Sequence, residues 1–262
     1  MKVREIISSN NTIFKVLLTL TRARGIKKYE MALLSGPKQI GEVLRDFPDH
    51  CSGIIFSDHH ETPVVPASLE IPFYRLRSEL FRQIDLYDTH QPVLLVRVDP
   101  FSRWTDASWP SGCTLCIPFQ DPANVGAVIR SAAAFGVSSV VILKEAAHPF
   151  LPKAVRVAGS AIFRVSMFEG PSLNSLDVSN VPLLTLSPEG KDVADFRFPH
   201  TFCLVPGLEG SGLPDHLSEE ATSLSIPMKP KVESLNAALA TGIVLYLWRN
   251  GLARRRQAGI NH

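Results

Sequence analysis

Cysteine is scarce in this 262-residue chain, which has four: Cys51, Cys113, Cys116 and Cys203. Cys113 and Cys116 form a C-x-x-C in "CTLC", and no second such pair completes a four-ligand zinc set. The stretch reads as a strand, where residues three apart face opposite sides. Buried, reduced thiols are therefore expected, not zinc or redox chemistry. "HHE" at His59–Glu61 offers ligand atoms but reads as a polar turn, so no metal is expected. Net charge is only +2. No global basic field declares a nucleic-acid partner, and local clusters must carry any such argument. Long hydrophobic runs are missing as well. The most apolar segment, Leu235 to Trp248, is shorter than the ~20 residues of a membrane span. The opening "MKVREIISSNNTIFKVLLTLTRARG" has acid and arginine ahead of its apolar part and no small-residue cleavage site behind it. No secretory leader is expected, and the chain reads as cytoplasmic. There is no internal repeat and no G-K-[ST] phosphate loop.

What is present is an alternation of short apolar strands and helices. Asn10 or Asn11 can cap a helix running to about Ala23, with Ile13, Val16, Leu17 and Leu20 as its apolar stripe. Lys15 and Arg22 lie opposite, and Arg24, Lys27 and Lys28 follow in the next turn. This is the densest basic cluster of the N-terminal third. It reads either as a solvated face or as a set of phosphate contacts, which position RNA or DNA without reading sequence. "MALLSG", "GIIFSD" and "IPFYRL" read as strands, "PKQIGEVLRDF" and "RSELFRQID" as helices. A boundary is placed across the turn-rich stretch 88–112, with "PVLLVRVDP" as a strand inside it. Beyond it, "CTLCIPF", "SSVVILK", "IFRVSMF", "VPLLTLS", "TFCLVP" and "SLSIPM" read as strands separated by helices. Continuous apolar strands between helices imply an α/β fold whose parallel sheet is covered on both faces. The tail "ARRRQAGINH" reads as basic and frayed.

Three stretches carry chemistry. In "QDPANVGAVIRSAAAFG", Asp121 caps a helix, Pro122 suits its first position, and Gly136 stops it. At about 100° per residue, Val125, Val128, Ile129, Ala132 and Phe135 share the core side. Arg130 points the other way among Gly126, Ala127, Ala133 and Ala134. That face is either packed with a solvated arginine, or it admits a second backbone or a substrate. In "LVPGLEGSGLP" three glycines follow a buried strand and let a ligand touch backbone. Their order, G-x-x-G-x-G, is wrong for a dinucleotide site, which makes a nicotinamide dehydrogenase a distant reading. In "IPMKPKVESLNAALATGIVLYLW" a strand and tight turn lead to a helix apolar nearly all round, through Leu235, Leu239, Ile243, Val244, Tyr246, Leu247 and Trp248. Such a helix must be buried twice, once on its own sheet, and a second copy of the chain is a candidate for the other side.

The set "NVGAVIRSAAAFG", "PGLEGSG", and "IPM" through "VESLNAALATGI" resembles, in order, the three motifs of the SpoU (TrmH-type) branch of the SPOUT RNA methyltransferases. The N-terminal segment is similar to that family's L30e-like substrate-binding domain, and "HQPVLLVRV" to its entry into the catalytic domain. The resemblance implies an RNA substrate-binding domain at 1–88, a linker and entry strand at 89–112, and a catalytic domain at 113–262. It implies a trefoil knot holding S-adenosylmethionine, with Gly207, Ile226, Met228 and Leu235 at the cofactor. It places Asn124, Arg130, Glu209, Ser234 and Asn236 at catalytic and site-shaping positions. It implies a homodimer joined through the knot and the helices 122–135 and 233–249, with Arg130 reaching into the seam. For the RNA, Lys15, Arg22, Arg24, Lys27, Lys28 and Arg130 are the candidate contacts. Pro230, Ala238, Pro92 and Ser35 depart from the family's usual glycine, small polar residue, glycine and glutamate.

The expected reaction is methylation of a ribose 2′-OH in structured RNA, ribosomal RNA before transfer RNA, with no metal. Arg130 either grips the target phosphate and orients the hydroxyl, or loses a proton to that phosphate and acts as base. Ser234 and Asn236 either orient the ribose or cap the last helix. The alternatives are a SPOUT enzyme methylating a base nitrogen, and an RNA-binding protein with a degenerate site.

Overall fold

The computed structural model describes residues 3–105, 109–207, 213–229 and 234–257. They divide into two compact units: residues 1–100 with 148–163, and residues 101–147 with 164–262.

The first unit is built on a five-stranded sheet. Its strands are β1 (Val3–Ile6), β2 (Met31–Ser35), β3 (Cys51–Ser57), β4 (Phe73–Leu76) and β5 (Val93–Arg97), in the order β1-β4-β3-β5-β2. β1, β4 and β3 pair in parallel, and β5 pairs antiparallel to both β3 and β2. The boundary expected across 88–112 therefore falls after Pro100, because "PVLLV" hydrogen-bonds between β2 and β3 inside this sheet. β1, an edge strand with one buried residue, gives too weak an alternation to be read from sequence.

The helix expected from Asn11 to Ala23 is two helices, α1 (Thr12–Thr19) and α2 (Ala23–Tyr29). Asn11 caps the first, accepting from the N–H groups of Ile13 and Phe14. The break has a local cause. The hydroxyls of Thr19 and Thr21 donate to the carbonyls of Val16 and Leu18, competing with the helical ladder. Gly25 then lies so close that a Cβ there would sit 2.1 Å from the Thr19 carbonyl oxygen. Phe14, Leu17 and Leu20 pack with Leu33, Ile55 and Leu95 in the core of this unit. Helix α3 (Pro37–Asp46) follows β2, and α4 (Ser78–Phe81) is a single turn, shorter than "RSELFRQID" suggests.

The second unit holds a seven-stranded sheet. Its strands are β6 (Ser102–Arg103), β7 (Gly112–Ile117), β8 (Ser139–Ile142), β9 (Met167–Glu169), β10 (Leu183–Asp192), β11 (Thr201–Val205) and β12 (Thr222–Ser225). The order is β12-β10-β11-β7-β8-β9-β6, and each neighbouring pair is parallel. "IFRVSMF" contributes only β9, since Ile162 and Phe163 belong to a 3-10 turn. One face carries Cys116, Val141, Leu183, Cys203 and Val205 against Leu173, Leu176 and Leu217, the last from α7 (Asp215–Glu220). Helices α5 (Pro122–Phe135) and α8 (Ala237–Gln257) pack side by side, and Trp248 sets its ring edge-on to Phe202 of β11 at 5.7 Å. Val244, Leu245 and Trp248 are 0%, 0% and 3% exposed. α8 continues to Gln257, so part of the tail read as frayed is helical.

A segment of the second half, α6 (Pro152–Ala158) with the turn that follows, belongs to the first unit. Ser160 donates to Glu42 of α3 at 2.7 Å, and Phe163 packs on Phe47. Nothing in the local pattern of "PKAVRVAGSA" separates it from the elements of the second unit on either side of it, since its long-range packing decides the matter.

All four cysteines are buried and free. Cys116 and Cys203 touch, Sγ to Sγ, at 3.5 Å. Burial pushes the Cys51 thiol up to about 11, and Cys113 well above the ordinary thiol range. Thiolate is the reactive form. We therefore predict that iodoacetamide at pH 7.5 leaves the native protein unlabelled while all four thiols react once it is unfolded. Labelling of Cys113, Cys116 or Cys203 in the folded state would show that the sheet interior is open.

Candidate functional site

Three chain segments leave adjacent parallel strands on one edge of the second sheet and enclose a cavity of about 300 Å³. The first is inside β10. Its pairing with β12 slips between Leu186 and Lys191. Leu186, Ser187 and Pro188 line the cavity there. Proline and glycine inside a strand mark such bulges, and bulges cluster beside active sites. "TLSPEGKD" carries that signal in the sequence.

The second segment follows β11. Gly207 lines the cavity, and a Cβ on it would sit 2.9 Å from the Leu186 carbonyl oxygen. The residue is glycine because the backbone passes there with no room to spare. The third segment leaves β12. Leu224, Ile226, Met228, Ser234, Leu235, Ala237 and Ala240 complete the wall. The lining is apolar apart from Ser187, Ser234 and the backbone. Its volume reaches the lower end of the range for small-molecule sites. Gly207, Ile226, Met228 and Leu235, picked from the motifs by position, thus share one wall. Leu186, Ser187, Pro188, Leu224, Ala237 and Ala240 were missed.

Next to this wall two asparagines meet. Asn236 is the N-cap of α8. Its Oδ1 accepts from the N–H groups of Ala238 and Leu239 at 3.0 and 3.1 Å. The expected helix from 233 begins instead at Ala237. With its oxygen so used, the Asn236 amide has one orientation, and its Nδ2 donates to Asn124 Oδ1 at 3.0 Å. Asn124, 8% exposed, sits in the first turn of α5. Asp121 caps that helix by accepting from Ala123 N–H, and Gly136 ends it in the left-handed conformation at φ 70°.

α5 and α8 run in the same direction. Asn124 meets Asn236, a Cβ on Gly242 would approach the Ser131 hydroxyl at 3.2 Å, and Phe135 lies 6.0 Å from Tyr246. The expected core side of α5 is buried through Val125, Val128, Ile129 and Ala132, while Phe135 is only half-buried against Tyr246. Gly126, read as part of the bald face, is also buried. Arg130 is exposed. It follows Asn124 by six residues, so it lies ~9 Å along the axis and ~120° round the helix from it. Within one chain Arg130 therefore turns away from the asparagine pair. On α8 the outer side leaves Leu239 and Tyr246 55% and 53% exposed.

Of the remaining candidates, Ser234 is exposed beside the cavity, and the cap belongs to Asn236, not to it. Glu209, with Pro230 and the rest of 208–212 and 230–233, lies outside the described residues. Lys15, Arg22, Arg24, Lys27 and Lys28 are all exposed on or beside α1 and α2, with Lys28 Nζ 5.1 Å from the centroid of Tyr29. No helix among the described residues is long and apolar enough to cross a membrane.

The model of the SpoU rRNA Methylase family matches residues 115–246, the stretch that supplies the whole cavity wall and both asparagines. The chain belongs to that family. It is 46% identical over 246 residues to a protein of Syntrophobacter fumaroxidans named Ribosomal RNA small subunit methyltransferase G 2, covering 94% of this chain and 49% of that one. The chain thus spans about half the length of that relative. It is 27% identical over 251 residues to 23S rRNA (guanosine(2553)-2'-O)-methyltransferase RlmP of Bacillus subtilis, covering 93% of this chain and 98% of that one. The fold matches that of an AdoMet-bound rRNA methyltransferase from Sinorhizobium meliloti, with a TM-score of 0.75 at 22% identity, covering 95% and 98% of the two chains.

The asparagine pair makes a measurable prediction. Replacing Asn236 by alanine removes both cap and pair and costs about 1–2 kcal/mol. Asn236→Asp keeps the capping oxygens and loses only the donor, so it costs less. In a double-mutant cycle with Asn124→Ala, urea unfolding is expected to give a coupling of about 0.5–1.5 kcal/mol. A coupling of zero would remove the pair from the account of how α5 and α8 are held.

Proposed function

We propose that this chain is an S-adenosylmethionine-dependent RNA methyltransferase that modifies a ribose 2′-OH in ribosomal RNA and works as a homodimer. One observation carries the reading: Gly207, Ile226, Met228 and Leu235 surround a single cavity, and the Asn124–Asn236 pair stands beside it. The relatives' printed names support an rRNA substrate, and that of RlmP supports the ribose oxygen. The Syntrophobacter protein is about twice as long, so its particular name is not carried across.

The cavity suits a neutral, flat nucleoside bound through backbone and apolar contact. Gly207 exposes backbone in the wall, where no side chain fits beside the Leu186 carbonyl, and Ile226, Met228 and Leu235 offer apolar surface. When bound, S-adenosylmethionine supplies a methyl group on a cationic sulfur. The chain's own task is to hold a weakly acidic hydroxyl in line and keep water away, and a dry apolar wall serves the second need. For the first, Arg130 is the residue of choice. A guanidinium stays protonated at neutral pH and grips a phosphate through two parallel N–H donors. Holding the neighbouring hydroxyl in this way can contribute ~7–11 kcal/mol in favourable cases.

Arg130 turns away from its own chain's asparagine pair, and this supports the dimer. Two copies joined through the outer sides of α5 and α8 cover Leu239 and Tyr246, and each offers its Arg130 to the seam. The five exposed cations on and around α1 and α2 are the candidate phosphate contacts of the first unit, and the protein is placed in the cytoplasm, where RNA is found.

Methyl transfer from labelled cofactor to bulk bacterial ribosomal RNA, followed by nucleoside analysis, tests the reading. Label is expected in a 2′-O-methylated nucleoside. Label in a methylated base would replace the ribose assignment, and no transfer to any RNA would leave an RNA-binding protein. Arg130→Lys is expected to lose most of the turnover while binding the cofactor as before; full activity in that variant removes Arg130 from the mechanism.

A second expectation concerns the wall. Gly207→Ala is expected to weaken cofactor binding at least tenfold by calorimetry and to lower the melting temperature, because its Cβ presses on the Leu186 carbonyl oxygen. An unchanged affinity would move the cofactor elsewhere.

A further inference from the structure

The segment 148–163 lies between β8 and β9 in sequence and packs in the first unit. Its helix α6 buries Pro152, Ala154, Val155 and Ala158 and turns Lys153 and Arg156 outward. Spaced three apart, these two share a face. The turns after α4 bring up Tyr87, half-buried, and the Arg156 guanidinium lies 4.3 Å from the centre of its ring. Burial raises the Tyr87 phenol above its ordinary pKa, while the charges of Arg156 and Lys153 act to lower it, so both cations stand near the ring.

The acids of that turn are engaged within it. Asp85, 5% exposed, accepts from the Thr89 hydroxyl and the His90 N–H. Asp88 faces His90 Nε2 at 3.3 Å, with both residues in the left-handed region at φ 49° and 53°. The turn is thereby fixed in shape, and it holds Tyr87 under the arginine.

An arginine lying on a ring has lost much of its freedom before any ligand arrives, and Arg156 is exposed. A lysine one turn away adds a second donor. That combination fits a phosphodiester backbone better than a lone surface cation does.

We propose that Tyr87, Lys153 and Arg156 form an RNA-backbone contact of the first unit, built from chain segments other than the α1–α2 cluster. The choice of RNA as the ligand rests on the methyltransferase reading above.

The test measures binding of the full chain to bulk bacterial ribosomal RNA by fluorescence anisotropy, between 50 and 200 mM salt. The double variant Lys153→Gln, Arg156→Gln is compared with the wild type and with Tyr87→Phe, which keeps the ring. Loss of two phosphate contacts is expected to lower the slope of log K against log salt by about 1.4–1.8. Affinity at the lowest salt is expected to fall about tenfold or more, while Tyr87→Phe binds as the wild type. Cofactor affinity and melting temperature report folding. If the double variant melts early, the single variants Lys153→Gln and Arg156→Gln are each expected to lower the slope by about half as much. An unchanged slope in folded variants overturns the proposal even where methyl transfer to RNA is intact, and leaves the methyltransferase reading standing. A reduced slope in a protein whose wild type transfers no methyl group upholds the contact and sinks that reading instead. A wild type that does not bind this RNA at 50 mM salt overturns the proposal as well.

Discussion

Parallel pairing is the constraint on which the rest depends. When neighbouring strands run the same way, each connection must return across a face, and the carboxyl ends of all strands emerge along one edge. β12, β10 and β11 are neighbours in the sheet in an order that is not their order in the chain. Residues as distant as Ser187, Gly207 and Leu235 are thereby brought to the same wall. No residue in that wall needs to be unusual. What makes it a site is that a bulge, a glycine and a chain turning into a helix all occur at the ends of three adjacent strands.

The same logic sets the two helices. α5 and α8 run parallel to each other, so both begin near the same edge. Asn236 joins the two starts because a capping oxygen committed to backbone N–H groups leaves only an N–H to give. One side chain thus fixes a helix start and the orientation of its neighbour's amide. Farther along, Gly242 beside Ser131 keeps the helices close, and Phe135 and Tyr246 mark where they reach the surface. The exposed Leu239 and Tyr246 are then a consequence of a helix that is apolar on more sides than one sheet can cover.

Much of this was legible in the sequence, for identifiable reasons. Asp121, Pro122 and Gly136 act locally, so the limits of α5 could be read directly. The strands of the second sheet are continuous apolar runs, which survive as signals because both faces are covered. The wall residues Gly207, Ile226, Met228 and Leu235 came from motif position, not from periodicity. What could not be read depends on distant packing. The membership of α6 and the turn after it in the first unit is decided by contacts with β2 and α3. β5 looked like a linker strand because a sequence shows no pairing partners. The bulge at Ser187–Gly190 was a different kind of miss, since proline and glycine inside an apolar strand announce it.

A net charge of +2 gives no hint of an RNA partner, and the distribution of side chains explains why it need not. The cavity wall is apolar with two serines, and it contributes no charge at all among the described residues. The cations of the first unit stand on exposed faces of α1, α2 and α6, two of them laid on tyrosine rings. At ~0.15 M ionic strength the field of a charge fades over about 8 Å. A polyanion therefore responds to the cations within that reach, and compensating acids elsewhere on the surface matter little to it. On the proposed reading, affinity for RNA would be set by such local groups and the chemistry by a wall that carries no charge, so whole-chain composition is silent about both.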